Sequence, residues 1–306
     1  MKIVNIKDQK VPALVQGCMR INEMSEDEVE HLIRTDLEHG INFFDHADIY
    51  GGGVCEELFG RVLKKHPELR SQMLIQSKCG IHRSETNHYD FSKDYIITCV
   101  HESLERLQTD HLDYLLLHRP DALMEPNEVQ DAFQQLYVEG KVKHFGVSNQ
   151  NRFQMELMQK DLRFPIEINQ MQMSIMHTPM IDAGINVNTF DGRAVDRDNG
   201  TIEYCRLHDI TMQCWSPFQY GMFEGVFLDN DKFPEVNKAI DKLAEKYKVS
   251  NSTIAVAWLL RHPANMQVVY GSVNPKRIAE LVKACDFTLT REEWYAIYTA
   301  AGNLLP

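Results

Sequence analysis

Ile41-Asn42-Phe43-Phe44-Asp45-His46-Ala47-Asp48-Ile49-Tyr50 is the stretch on which the fold turns. A short apolar run behind Gly40 ends in a carboxylic acid, and a phenol follows at its exit. Such a run, bounded by glycine and polar residues, reads as a buried strand. The segment before it reads as a helix: Ser25 and Glu28 have the spacing of a capping box, Val29, Leu32 and Ile33 share one face, and Gly40 ends it.

The same alternation continues outward. Strands are expected near 14–17, 41–44, 73–76, 113–117, 143–147, 166–169, 210–214 and 267–270, each followed by a helical region such as the face made by Val129, Ala132, Phe133 and Leu136 before Gly140. Alternating strands and helices imply a parallel sheet. Eight units predict an α/β protein, a closed (β/α)8 TIM barrel spanning 1–306 as one domain, with a short N-terminal β-hairpin near Val4 and Ala13. An open doubly wound sheet is the competing arrangement, but no Gly-x-Gly-x-x-Gly follows the first strand. From about Met171 to Gly200 the chain lacks periodicity and reads as a long loop, a type of segment that is often functional.

The formal net charge of −12 argues against a nucleic-acid partner or an acidic membrane surface. No stretch is long and apolar enough to span a bilayer, and the N-terminus lacks the apolar core of a signal peptide, so a cytoplasmic location is expected. Cys18, Cys55, Cys79, Cys99, Cys205, Cys214 and Cys285 are widely spaced with no Cys-x-x-Cys pair, which indicates neither a disulfide framework nor a metal site. Nothing points to an obligate protein partner.

In a barrel, the residues at the strand ends gather on one rim, where active sites of this architecture occur. The rim would carry Asp45, Tyr50, Lys78, His118, Ser148, Asn149, Gln170, Trp215, Ser216, Gly271 and Ser272. One ionisable residue at a strand end is ordinarily just solvated. Asp45, Tyr50, Lys78 and His118 together point to proton-transfer chemistry on a small molecule. A lyase or isomerase using Lys78 as a Schiff base is a second reading of the same lysine.

Gly40-Ile41-Asn42-Phe43-Phe44-Asp45-His46-Ala47-Asp48-Ile49-Tyr50-Gly51, Lys78, Leu115-Leu116-Leu117-His118-Arg119-Pro120 and Gly146-Val147-Ser148-Asn149 resemble the aldo-keto reductase superfamily, and within it the bacterial monomer-type oxidoreductases. The resemblance implies NADPH-dependent reduction of a small carbonyl substrate, an aldehyde or ketone, with NADP+ as the oxidised cofactor. It makes Tyr50 the proton donor, Lys78 the cation that favours its phenolate, Asp45 the partner of Lys78, and His118 the donor to the carbonyl oxygen. It also implies a cofactor site from Gly17, Cys18, Met19, Ser148, Asn149, Gln170, Trp215, Ser216, Pro217, Phe218, Gly221, Gly271, Ser272, Lys276 and Arg277.

Within that set Ser148, Asn149 and Gln170 would fix the carboxamide, Trp215 would stack on the nicotinamide, and Arg277 would grip the 2′-phosphate. The start of the helix after the last strand offers free N–H groups to an anion. Trp215, Tyr220, Gly271 and Leu281 depart from residues frequent at those places in the family. Substrate specificity is expected from Met19 and Arg20, the Cys79 to Phe91 loop, Arg119 to Glu125, and the stretch beyond Met171. Some barrels of this superfamily serve as channel subunits, so a non-catalytic NADPH-sensing partner protein is the rival reading.

Overall fold

The computed structural model describes residues 1–306. Its strands are β1 (Ile3–Ile6), β2 (Gln9–Pro12), β3 (Leu14–Gly17), β4 (Phe43–Asp45), β5 (Leu74–Cys79), β6 (Ile81–His82), β7 (His88–Tyr89), β8 (Leu112–Leu117), β9 (Val142–Ser148), β10 (Ile168–Gln172), β11 (Thr211–Trp215) and β12 (Gln267–Tyr270). The parallel strands β3, β4, β5, β8, β9, β10, β11 and β12 close a barrel in that order, with β12 paired back to β3. Near-continuous apolar runs such as Leu112–Leu117 are buried along their whole length because helices cover them outside and barrel side chains meet them inside.

The helices that matter for the rim are α1 (Glu26–Glu38), α2 (Val54–Lys65), α3 (Lys93–Leu107), α4 (Pro126–Val138), α5 (Arg152–Gln159), α6 (Pro179–Ile185), α7 (Thr201–Leu207), α8 (Pro234–Tyr247), α9 (Asn251–Arg261), α10 (Pro275–Val282) and α11 (Arg291–Ala300). The Ser25–Glu28 box caps α1, and Gly40 follows at φ +75°. A non-glycine residue would be strained there, which is why the helix stops at that point. The antiparallel β1–β2 hairpin lies against the barrel with Val4, Ile6 and Val11 buried.

Two expectations need correction. β5 and β10 run farther than the apolar residues alone suggest, so Lys78 and Gln170 stand inside strands rather than beyond them. Pairing with the neighbouring strand continues through Lys78–Leu116 and Cys79–Leu117, and it carries polar residues that hydrophobicity cannot flag. The 171–200 stretch is also not an unbroken loop. It contains α6, begun by Pro179 and tied down by Tyr298, whose hydroxyl donates to Asp182 Oδ1 at 2.7 Å. The helix is too short to show a period.

Candidate active site

Lys78 is fully buried, and its ammonium donates to Asp45 Oδ2 at 2.8 Å, to the His46 carbonyl at 2.8 Å and to the Tyr50 hydroxyl at 2.9 Å. Asp45 reaches it from the end of β4, one strand away. Tyr50 reaches it from the start of a tight turn whose following residues, Gly51, Gly52 and Gly53, are all at positive φ and lead into α2. Only glycine takes that run of conformations cheaply. His118 follows β8 directly and sets its ring edge-on to Tyr50, with centroids 6.1 Å apart.

Burial opposes the charge on Lys78, yet the nearby Asp45 and Tyr50 outweigh it and hold the ammonium above its ordinary 10.5. Burial pushes the Tyr50 phenol above 10.0; Lys78 pulls it down, while Asp45 adds to the rise. The pull of Lys78 expected from sequence is therefore present but is outweighed, and the resting group is a neutral phenol with a proton to give. Burial, followed by the charges of Lys78, Arg119 and Arg83, holds His118 well below 6.5. A neutral imidazole stands beside the phenol throughout the neutral range.

Asp45 is held from below by amides. Its Oδ1 accepts from Gln76 Nε2 at 2.5 Å and from Gln170 Nε2 at 3.0 Å. Both amides also donate to Gln213 Oε1 at 2.9 Å, Gln213 donates to Gln267 Oε1 at 2.9 Å, and Gln267 donates to the Pro12 carbonyl at 2.7 Å. The chain of amides crosses the barrel from the tetrad toward the hairpin, with Gln76, Gln213 and Gln267 fully buried. Aligned buried donors of this kind hold a carboxylate in one orientation.

Above the tetrad opens a cavity of about 940 Å³. Tyr50 and His118 lie on its wall, which passes Trp215 and extends to Ser250, Asn251 and Ser252 at the start of α9 and to Arg277 and Leu281 on α10. Gly17, Met19, Ser148, Asn149, Gln170, Trp215, Ser216, Pro217, Phe218, Gly271, Ser272 and Arg277 all border it. Asn149 and Ser216 adopt φ of +57° and +53°, unusual values for such residues, which cluster at functional sites. Asn149 Oδ1 accepts from the Trp215 indole at 3.2 Å, while Asn149 Nδ2 donates to Ser148 Oγ at 2.8 Å. Asn149 thus positions the indole.

Three expected cofactor residues lie off the cavity wall. The Cys18 thiol is buried against the Gln16 carbonyl, Lys276 points to solvent, and Gly221 offers its carbonyl to Gln172 at 2.9 Å. The N–H groups expected to be free at the start of α10 are not free, because Asn274 Oδ1 accepts from Lys276 and Arg277 as an N-cap. An anion there would depend on side chains. The segment beyond Met171 contributes nothing to the wall, whereas Met19, Arg20, Ile81, Arg83, Tyr89 and Arg119 do.

The sequence profile of the Aldo/keto reductase family matches residues 13–301. The chain belongs to this family. The oxidoreductase YcsN of Bacillus subtilis is 36% identical to it over 96% of this chain and 95% of its own length. The 6-dehydroglucose reductase of Agrobacterium fabrum is 33% identical over 98% of both. An aldo/keto reductase from Klebsiella pneumoniae, solved in complex with NADP and acetate, shares the fold with a TM-score of 0.74 at 21% identity, over 97% of this chain and 94% of that one.

For this aldo/keto reductase, sequence reasoning missed Gln76, Gln213 and Gln267, as well as Ser250, Asn251 and Ser252. The first group carried a signal: glutamine recurs in the short strands at 16, 76, 170, 213 and 267, where an apolar residue is the ordinary choice. The second group had none, since a serine-rich helix start reads as a cap.

Proposed function

We propose that this protein is an NADPH-dependent oxidoreductase that reduces the carbonyl of a small aldehyde or ketone to an alcohol, with Tyr50 as proton donor. The observation that carries this reading is the contact of a buried ammonium with a neutral phenol at the cavity wall, beside a neutral imidazole. Relatives such as the 6-dehydroglucose reductase, and the NADP complex of the Klebsiella pneumoniae protein, support the same chemistry.

The cavity's donor set fits a nicotinamide dinucleotide. Gln170 Oε1 makes no hydrogen bond within the protein and would accept from a carboxamide, Trp215 presents an indole face, and the Arg277 guanidinium has no carboxylate partner for a 2′-phosphate to displace. When bound, NADPH supplies the hydride. Tyr50 gives its proton to the carbonyl oxygen, and Lys78 stabilises the phenolate left behind. Asp45 and the glutamine amides hold Lys78 on that line, so little reorganisation is needed at the moment of transfer. His118, neutral, orients the carbonyl oxygen by hydrogen bonding.

A Schiff base at Lys78 is disfavoured: its amine is charged, fully buried and committed to three acceptors. The deciding experiment follows NADPH oxidation against aldehydes, ketones, quinones and sugars, with borohydride trapping in parallel. Turnover with several carbonyls and no lysine adduct is expected. Tight NADPH binding without turnover across the panel would favour the sensor, and a trapped Lys78 adduct would favour the lyase.

A further inference from the structure

Arg83 and Arg119 lie on the cavity wall with Tyr50 and His118, and neither guanidinium makes a hydrogen bond or ion pair within the protein. Arg83 projects from the β6–β7 hairpin and is exposed at the mouth of the cavity. Arg119 immediately follows His118 and is half-buried, with its guanidinium over the Trp215 ring at 5.9 Å from the centroid. With no carboxylate or carbonyl committed to it, the Arg119 guanidinium has its planar fork of donors open to an anion that enters the cavity.

The surroundings do not supply that anion. Only two carboxylates border the cavity: Asp45, engaged by Lys78, and Asp229, which accepts from Asn251 at 3.1 Å by the start of α9. The whole chain carries a net charge of −12, yet Arg20, Arg83, Arg119 and Arg277 all border this cavity without an ion pair, so the wall runs against the overall balance, and of the four it is Arg83 and Arg119 that act on His118. Ile49, Ile81 and Tyr89 complete an apolar lining beside them. Both arginines are also close enough to His118 to help keep it neutral.

We propose that the substrate is an aldehyde or ketone carrying an oxyanion, a carboxylate or phosphate, which Arg83 and Arg119 grip while the carbonyl faces Tyr50 and His118. This deepens the reductase reading and rests on it. The reaction keeps its balance: the carbonyl carbon gains a hydride, the oxygen gains the Tyr50 proton, NADPH is oxidised to NADP+, and the oxyanion is unchanged. The anion serves as a handle that fixes the carbonyl near the phenol, as guanidinium forks do for carboxylates and phosphates.

The test compares kcat/KM for 4-carboxybenzaldehyde with that for its neutral methyl ester, and for glyceraldehyde 3-phosphate with that for glyceraldehyde. Charge-assisted hydrogen bonds predict a preference of about ten- to a hundredfold for the charged member of at least one pair. The pair that shows it identifies the oxyanion. In Arg83→Met and Arg119→Met that ratio should fall toward one. In the unaltered protein, added salt should lower kcat/KM for the charged substrate more steeply than for the neutral one. Neutral members reduced as well as or better than the charged ones would overturn this inference and leave the reductase reading standing. NADPH oxidation with none of the four, while other carbonyls of the wider panel are reduced, would overturn this inference alone, and no turnover across the whole panel would overturn both.

Discussion

Replacing Asp45 with asparagine keeps the shape of the side chain and reverses the chemistry around it. Lys78 and Asp45 have 0% and 3% of their side chains exposed, so their 2.8 Å contact is among the least hydrated ion pairs in the molecule. Asparagine must turn its NH₂ either toward the Lys78 ammonium or toward the Gln76 and Gln170 amides, and both choices set donor against donor. Removing one member of a buried pair costs about 3–5 kcal/mol. A loss of that size lowers Tm on the order of 5–15 °C in a chain of this length.

The sign with pH follows from the same groups. In the native protein Lys78 stays charged above 10.5, so its contribution is complete below that value and is lost as pH rises through the raised folded value. Without Asp45, burial leads and the folded lysine drops below 10.5, so the variant regains stability as pH climbs toward 10.5 and the gap to the native protein narrows. Thermal unfolding of both proteins from neutral pH upward measures this. A variant as stable as the native protein, or a gap independent of pH, would refute the claim that the carboxylate holds a buried ammonium.

Other perturbations test separate parts of the account. In Gly60→Ala the new methyl would lie 2.0 Å from the Arg106 carbonyl oxygen, forcing α2 from α3; a loss of about 3 kcal/mol is expected as a lower urea midpoint with an unchanged slope. Asp36, which accepts from the Tyr270 hydroxyl at 2.6 Å, is pushed up to about 8 by burial. Its raised value makes native stability fall as pH rises from about 4 to 8, so Asp36→Asn should gain Tm relative to native at pH 8 and little at pH 4; equal effects at both would count against a protonated Asp36. Arg277→Ala should weaken NADPH binding about tenfold while changing NADH little, measured by cofactor fluorescence; equal losses would mean that Arg277 does not read the phosphate.

The barrel was legible because its parts are local: a capping box at Ser25, an αL glycine at Gly40, and apolar runs of strand length. The tetrad was legible as a set of strand-end residues, and the structure places those residues together. What escaped depends on three-dimensional neighbours. Nothing near Gln213 in sequence tells that its carbonyl accepts two amides from β5 and β10, whereas Asn274 before Pro275 did carry the local signal of a helix cap, whose side chain takes the N–H groups offered to an anion. The direction of the Tyr50 shift also escaped, because a sequence shows the approaching lysine but not the depth of burial that outweighs it.

The central claim is that the Tyr50 hydroxyl delivers the proton. Single-turnover reduction by Tyr50→Phe, with NADPH binding measured on the same protein, tests it most directly. Losing a positioned general acid predicts a fall in the rate of NADPH oxidation of about 100- to 10,000-fold, with NADPH affinity near that of the native protein. A rate within a few-fold of native, at unchanged affinity, would contradict the account.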